Sequence, residues 1–281
     1  MNRKAAIATF LAAGISLLAF FIMKFVPVAE MPHRLFYDSV ATTVSNGKQK
    51  EDTIWSKVPD FQLINQLGDT ITWKDLEGKI VVADFFFTTC PVVCPTMTRH
   101  IKELQNAIKS NEKVGNREAD FVHFISFTVD PERDSVAQLK KYADRFQINP
   151  QNWWLLTGNK KQIYDLAYFG MKMGITEKEI DTSFIHPQQF VLIDKNRVIR
   201  SRRDAFGNVD LYNGLDTADV KNLAEDIILL SLEKDPKKKS AFAGQLELIA
   251  VIFVIGGILM VLLFSYLKKE KKKNEDLVAK K

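Results

Sequence analysis

Hydrophobic residues form two long runs near the ends of the chain and a series of short runs between them. The first long run covers residues 5–28 and contains one charged residue, Lys24, near its end. The second covers residues 246–267 and has an uncharged core at 248–264. About 20 apolar residues are needed to cross a bilayer as a helix. The pattern therefore predicts two transmembrane helices, with a cleaved signal peptide as the alternative for the first.

Basic residues flank both long runs on the side that faces the chain terminus. Arg3 and Lys4 precede the first run, and a lysine-rich tail at 268–281 follows the second. Because positively charged flanks stay in the cytoplasm, both termini are expected there and everything between the helices outside. The expected location is the cytoplasmic membrane of a bacterium, with a periplasmic soluble domain.

The net charge of +5 adds little to this picture, because much of the positive charge lies in the tail. A nucleic-acid-binding protein would instead carry basic residues on its folded domain, so we expect no nucleic-acid partner. Composition and hydropathy divide the chain into six predicted segments. These are an N-terminal anchor (1–28), an irregular linker (29–57), a folded domain (58–233), a second linker (234–245), a C-terminal transmembrane helix (246–267) and a basic cytoplasmic tail (268–281).

The middle of the chain alternates between patterns typical of strands and helices. Residues 79–87 form a continuous apolar run, as expected for a strand buried on both faces. The same criteria predict further strands at 121–129, 153–157, 189–193 and 198–202, a short hairpin at 61–71, and helices at 93–109, 135–145, 159–169 and 217–232. Parallel crossovers followed by a terminal hairpin predict an α/β thioredoxin-like fold, a central mixed sheet flanked by helices.

The two cysteines of the chain, Cys90 and Cys94, lie between the first buried strand and its helix. Two cysteines are too few for a disulfide-stapled scaffold, and so short a loop would stabilise little as a structural disulfide. Three intervening residues place the two sulfurs about one helical turn apart. A helix N-terminus also favours thiolate, so the pair is predicted to carry chemistry.

A histidine is the expected partner of these sulfurs. His186 stands just before the strand at 189–193, where a thioredoxin-like fold brings a loop towards the cysteine motif. Two thiolates and an imidazole favour copper over magnesium, calcium or manganese, while zinc remains chemically open. A structural loop histidine is the alternative. Met97 would be the next soft ligand, although methionine is more often a core residue.

Three motifs in order resemble the Sco/SenC family over residues 58–232. They are Thr89–Pro91 with Cys94–Pro95, then Val129–Asp134, then His186 ahead of Phe190–Asp194. The resemblance implies a thioredoxin-like copper protein that helps assemble the copper centre of cytochrome c oxidase. It also implies that Cys90, Cys94 and His186 bind one copper ion, as Cu(I) or Cu(II), and that Asp130 lies in a functional motif.

Two functions follow as expectations. The first is a metallochaperone that delivers copper to the copper-receiving subunit of a respiratory oxidase. The alternative is a thiol–disulfide oxidoreductase, in which an exposed Cys90 attacks and Cys94 resolves the mixed disulfide. Pro187 supports the alternative, because it falls near the position of the thioredoxin cis-proline. Both functions need a thiol reductant as partner, since an oxidising compartment would convert the metal-free pair to a disulfide.

Overall fold

The structure is a computed structural model. It describes residues 30–45, 48–110, 121–173, 188–203 and 207–233. The chain divides into two units, 1–232 and 233–281, and all described helices and strands belong to the first.

Both predicted transmembrane helices lie outside the described residues, as do His186 and Pro187. Within the described part of the chain, no helix combines the length and the apolar character required to cross a membrane.

The folded domain alternates strands and helices much as the hydrophobic pattern predicts. The strands are β1 (His33–Arg34), β2 (Tyr37–Ser45), β3 (Lys48–Trp55), β4 (Gln62–Asn65), β5 (Thr70–Thr72), β6 (Ile80–Phe86), β7 (Val122–Thr128), β8 (Trp153–Thr157), β9 (Gln189–Ile193), β10 (Ile199–Ser201) and β11 (Tyr212–Asn213). The helices are α1 (Val93–Ser110), α2 (Val136–Arg145), α3 (Lys160–Asp165) and α4 (Thr217–Leu232), with a 3-10 turn at Trp73–Leu76 and a π-helical turn at Leu166–Gly170.

A central mixed sheet has the strand order β1-β10-β9-β6-β7-β8-β4-β5, and β11 pairs with β9. Strand β6 runs parallel to β7 and antiparallel to β9. The carboxyl ends of β6 and β7 and the start of β9 therefore meet at one edge of the sheet. The predicted thioredoxin-like arrangement is confirmed, and this edge carries the cysteine motif.

The core is densest around β6 and β7, where every residue is buried. Phe85 and Phe127 stack with ring centroids 5.2 Å apart, and Phe61 meets Phe127 edge-on. Such aromatic contacts add to the burial energy of an already apolar layer. The strand that leads into the cysteine motif is consequently held from both faces.

The helix starts predicted at 135 and 159 agree with the structure, where each has a capping side chain. Ser135 accepts a hydrogen bond from the Gln138 N–H (3.4 Å) at the start of α2, and Asn159 accepts one from the Gln162 N–H (3.0 Å) at the start of α3. These side chains satisfy amides that the first helical turn leaves unpaired.

The prediction of an irregular segment at 29–57 was wrong. β1 pairs with β10 and is the outermost strand on that side of the central sheet, and β2 and β3 form a two-stranded antiparallel hairpin. Val40 and Ile54, on opposite strands of the hairpin, are about half exposed. A hairpin with little buried surface has weak hydrophobic alternation, which hides it from a periodicity search. The Asn46-Gly47 pair was the available signal, because this dipeptide is typical of hairpin turns.

Candidate metal centre

The cysteine motif lies in the connection from the central strand β6 to helix α1. The Cys90 N–H donates to the Phe87 carbonyl at 3.2 Å, which closes a turn immediately after β6. Helix α1 then begins at Val93, and the Cys94 N–H donates to Cys90 Sγ at 3.3 Å. The structure thus brings the two cysteines together across the first helical turn, as the spacing predicts.

Both cysteines are reduced and buried, with 8% of Cys90 and 1% of Cys94 exposed. The expectation of an exposed Cys90 was therefore wrong, although Cys90 is the more accessible of the two. Burial raises the pKa of the Cys94 thiol far above its ordinary value, and its contact with Cys90 raises it further. The desolvation cost exceeds what a helix N-terminus returns, so Cys94 is protonated until a metal ion or an oxidant displaces its proton.

The donor set in this loop fits a soft metal ion. Sulfur ligands select copper(I) or zinc and disfavour magnesium, calcium and manganese. Among the described residues, no group of three histidine, cysteine or acidic side chains could hold a metal ion. His186, the third ligand expected from the sequence, lies outside the described residues.

The described part of the chain resumes at Gln188, just before β9 and near helix α1. In the β6–β9 register, Ala83 lies opposite Val191, so Gln188 comes at the cysteine end of β9. The Gly214 N–H donates to the Gln188 carbonyl at 2.6 Å. A Cβ added at Gly214 would lie 2.9 Å from Met97 Cε and 3.1 Å from the Gln188 oxygen. Gln188 therefore comes within a few ångströms of Met97, one helical turn beyond Cys94.

The acidic motif at 130–134 follows β7 and reaches the same edge of the sheet. The Val129 N–H donates to the Phe86 carbonyl at 2.8 Å, next to the start of the cysteine turn. Asp130 shapes its own loop, because its N–H donates to Thr128 Oγ1 at 3.1 Å and its carboxylate lies 3.4 Å from the Arg133 guanidinium.

It is Asp134, buried at 1% exposure, that reaches the cysteine turn. One of its carboxylate oxygens accepts the Thr88 N–H at 3.0 Å, and the other accepts the Thr88 hydroxyl. The sequence assigned the supporting role to Asp130, whereas Asp134 is the motif residue that contacts the segment before Cys90.

Asp84 is a buried carboxyl group that the sequence analysis missed. Burial raises its pKa to about 7, against a smaller lowering by a hydrogen bond from Ser126. Its Oδ1 has no hydrogen-bond donor among the described residues. The charge of Asp84 is also one of the smaller causes of the raised Cys94 pKa. Its signal was available, since Asp84 is the one charged residue within Ile80–Phe86.

Two further histidines have neighbours in the folded domain, and three methionines belong to the core. His100 Nδ1 lies 2.8 Å from the Gly214 carbonyl oxygen, and the His123 ring lies against Trp154 with centroids 3.8 Å apart. The expected core methionines are buried: Met97, Met171 and Met173.

A mixed sheet with a buried cysteine pair at the first turn of the helix after its central strand defines a thioredoxin-like dithiol protein. The cysteine, acidic and β9 segments of this chain narrow the assignment further. A model of the SCO1/SenC family matches residues 49–210, and the chain belongs to that family.

Individual relatives agree with this assignment. The chain is 31% identical over 183 residues to a SCO1 protein homolog of Bacillus subtilis, which covers 64% of the chain and 86% of the relative. It is 26% identical over 145 residues to a Stutzerimonas stutzeri protein named for copper binding, covering 51% of the chain and 67% of that protein.

A solved structure of BsSco, which its description gives as a member of the Sco family of cytochrome c oxidase assembly proteins with a disulfide switch, is 30% identical. The matched region covers 65% of this chain and 98% of the BsSco chain, with a TM-score of 0.51.

Proposed function

We propose that this protein carries one copper ion as cargo and delivers it to the copper-receiving subunit of a respiratory oxidase. The observation that carries the proposal is the pair of buried sulfurs joined across the first turn of α1. Soft donors screened from water suit a soft ion that must be held until a partner supplies competing ligands. The names of the Stutzerimonas and BsSco relatives support copper and oxidase assembly in the same family.

Cys90, Cys94 and His186 are the proposed ligands. Chain length supports the histidine, because His186 is two positions before Gln188, a separation that the chain spans with at most about 7 Å. Gln188 itself lies beside Met97, one turn beyond Cys94. Because burial raises the pKa of the Cys94 thiol, copper binding there would release a proton, so copper affinity is expected to rise with pH.

Membrane anchoring belongs to the proposal as well. The apolar runs at 5–28 and 246–267, with basic residues on their outer flanks, support a periplasmic domain with both termini in the cytoplasm. A reporter that is active only outside the cytoplasm, fused after Lys281, is expected to be silent. Activity of that reporter would contradict the two-span topology.

Copper titration of the pre-reduced full-length chain tests the ligand set. We expect one copper per chain, with affinity reduced more than about 100-fold in Cys90→Ser, Cys94→Ser and His186→Ala, since even outer-shell changes cost 10–100-fold. His33→Ala is the matched control, because His33 lies on β1, with β10 and β9 between it and β6 in the sheet. Unchanged affinity in His186→Ala would remove His186 from the site and make Met97 the next candidate.

Thiol–disulfide exchange is a second candidate function, and the unequal burial of Cys90 and Cys94 favours it. In this function Cys90 attacks the partner's disulfide, Cys94 resolves the mixed disulfide, and Pro187 is the expected supporting residue. Insulin reduction by the pre-reduced chain tests it. Turnover that needs both cysteines and tolerates His186→Ala would favour the reductase over the chaperone.

A further inference from the structure

The acidic motif at 130–134 contains one side chain that holds the cysteine turn in place. Asp134 receives the Thr88 N–H at 3.0 Å and the Thr88 hydroxyl on its two carboxylate oxygens. Its Oδ2 also receives the Thr128 hydroxyl at 2.5 Å, from the end of β7. One carboxylate therefore ties the ends of two parallel strands together at the edge that carries the cysteines.

The held segment ends at the first cysteine. Because the Cys90 N–H donates to the Phe87 carbonyl, Thr88 and Thr89 are the two central residues of a tight turn. Asp134 is hydrogen-bonded to this turn at Thr88, and the Cys90 N–H closes the turn. A shift of Thr88 would be passed to Cys90 Sγ, which has to stay within reach of the Cys94 N–H at 3.3 Å.

Helix capping does not explain the burial of Asp134. Ser135, not Asp134, caps α2 by accepting from the Gln138 N–H. Among the described residues, the Asp134 carboxylate accepts hydrogen bonds from the Thr88 amide and from two hydroxyl groups, and it forms no ion pair. A buried carboxylate without a cation is costly to keep unless its hydrogen bonds are well made.

We propose that Asp134 is a positioning residue that fixes Cys90 relative to Cys94 by locking the Phe87–Cys90 turn to the end of β7. The proposal rests on the proposed function only in its copper readout. The hydrogen bonds of Asp134 position the two thiols whether or not copper is present. Asp134 thereby gives the acidic motif a role in the chemistry without contact with the metal.

The test compares Asp134→Asn and Thr88→Val with Thr88→Ser, which keeps the hydroxyl. In the full-length chain equilibrated with glutathione, the Cys90–Cys94 disulfide is expected to be about 10-fold less favoured in Asp134→Asn and Thr88→Val, because a looser turn separates the thiols. Thr88→Ser should restore nearly wild-type values. Copper affinity should fall about 10–100-fold in the same two variants, as for other outer-shell changes.

Two controls separate positioning from general loss of stability. Ser135→Ala removes the adjacent helix cap, and Asp194→Asn changes a buried carboxylate that is paired with Arg200 instead. Both should lower the unfolding free energy and leave the glutathione equilibrium unchanged.

Wild-type thiol equilibrium and copper affinity in Asp134→Asn and Thr88→Val would overturn the positioning role. A wild-type chain that binds no copper would overturn the proposed function, and the glutathione equilibrium alone would then decide the role of Asp134. If Asp134→Asn does not fold, the glutathione equilibrium and copper affinity of Thr88→Val decide whether the positioning role holds.

Discussion

The two ends of the central sheet bury carboxyl groups in different ways. At the turn between β9 and β10, Asp194 pairs with Arg200 at 2.8 Å, with both side chains less than 5% exposed. Towards the cysteine end, Asp84 and Asp134 are as deeply buried, but hydroxyl and amide groups are their partners among the described residues. At the β9–β10 end a cation pairs with the buried carboxylate, whereas at the cysteine end no cation among the described residues does so.

This difference indicates that the β9–β10 end contributes to stability, whereas the cysteine end contributes to the chemistry of the site. In a buried ion pair each charge compensates the other, and stability is lost when removal of one partner leaves the other charge uncompensated. A buried carboxyl group without a cation raises its own pKa or depends on well-placed donors, and both situations are typical of functional sites. The β9–β10 end is therefore a structural clamp, whereas the cysteine end retains polar groups at an energetic cost.

The largest expected effect comes from breaking the structural clamp. Asp194→Ala leaves the Arg200 charge buried without its partner, which should reduce the unfolding free energy by about 3–5 kcal/mol. Urea unfolding measures this loss. Replacing Arg200 by methionine in the same chain should recover part of it. Equal stability of Asp194→Ala and wild type would show that this ion pair does not distinguish the two ends.

The next effect concerns Asp84 and its dependence on pH. Because its folded pKa of about 7 exceeds its ordinary value of 3.8, the folded state holds the proton more tightly than the unfolded state does. Its contribution to stability is therefore complete below about pH 4 and is lost as pH rises through 7. Asp84→Asn avoids this loss and should gain up to about 4 kcal/mol over wild type between pH 4 and pH 8.

Urea unfolding of both chains across that pH range checks the Asp84 prediction. The informative quantity is the difference between variant and wild type, since all other titrating groups cancel. A pH-independent difference would mean that Asp84 does not titrate in this window.

A smaller effect is expected at Gly214, beside the start of β9. An alanine there would bring a methyl group within 3.1 Å of Met97 Cε, Phe190 Cζ and the Gln188 oxygen. Crowding of this kind typically costs about 1–3 kcal/mol. Gly214→Ala should also weaken copper binding, because it displaces the segment that leads to His186. Gly170→Ala is the control, since its added Cβ would crowd Pro59 and Leu166 instead, so it should also lower stability but leave copper affinity unchanged.

The regular elements of the domain could be predicted because each has a strong local signal. The strands predicted at 79–87 and 121–129 and the helix starts predicted at 135 and 159 agree with the structure to within a residue or two. The β2–β3 hairpin escaped prediction because its strands pair mainly with each other and bury too little surface to impose alternation.

The site could be predicted only in part, for a different reason. Cysteine spacing is local, so the contact between Cys90 and Cys94 follows from the sequence. The bond from Asp134 to Thr88 spans 46 positions, and helix capping was an equally good local explanation for that residue. Burial, which decides the pKa of Cys94, depends on the packed domain and has no sequence signal of its own.

The copper content of the respiratory oxidase in cells that carry His186→Ala tests the central claim most directly. The variant chain must be present at wild-type level, with its Cys90–Cys94 pair still able to be reduced. Because delivery requires a complete copper site, we expect the oxidase to be depleted of copper and restored by the wild-type chain. Normal copper loading with His186→Ala would contradict the chaperone account and leave thiol–disulfide exchange as the function of the cysteine pair.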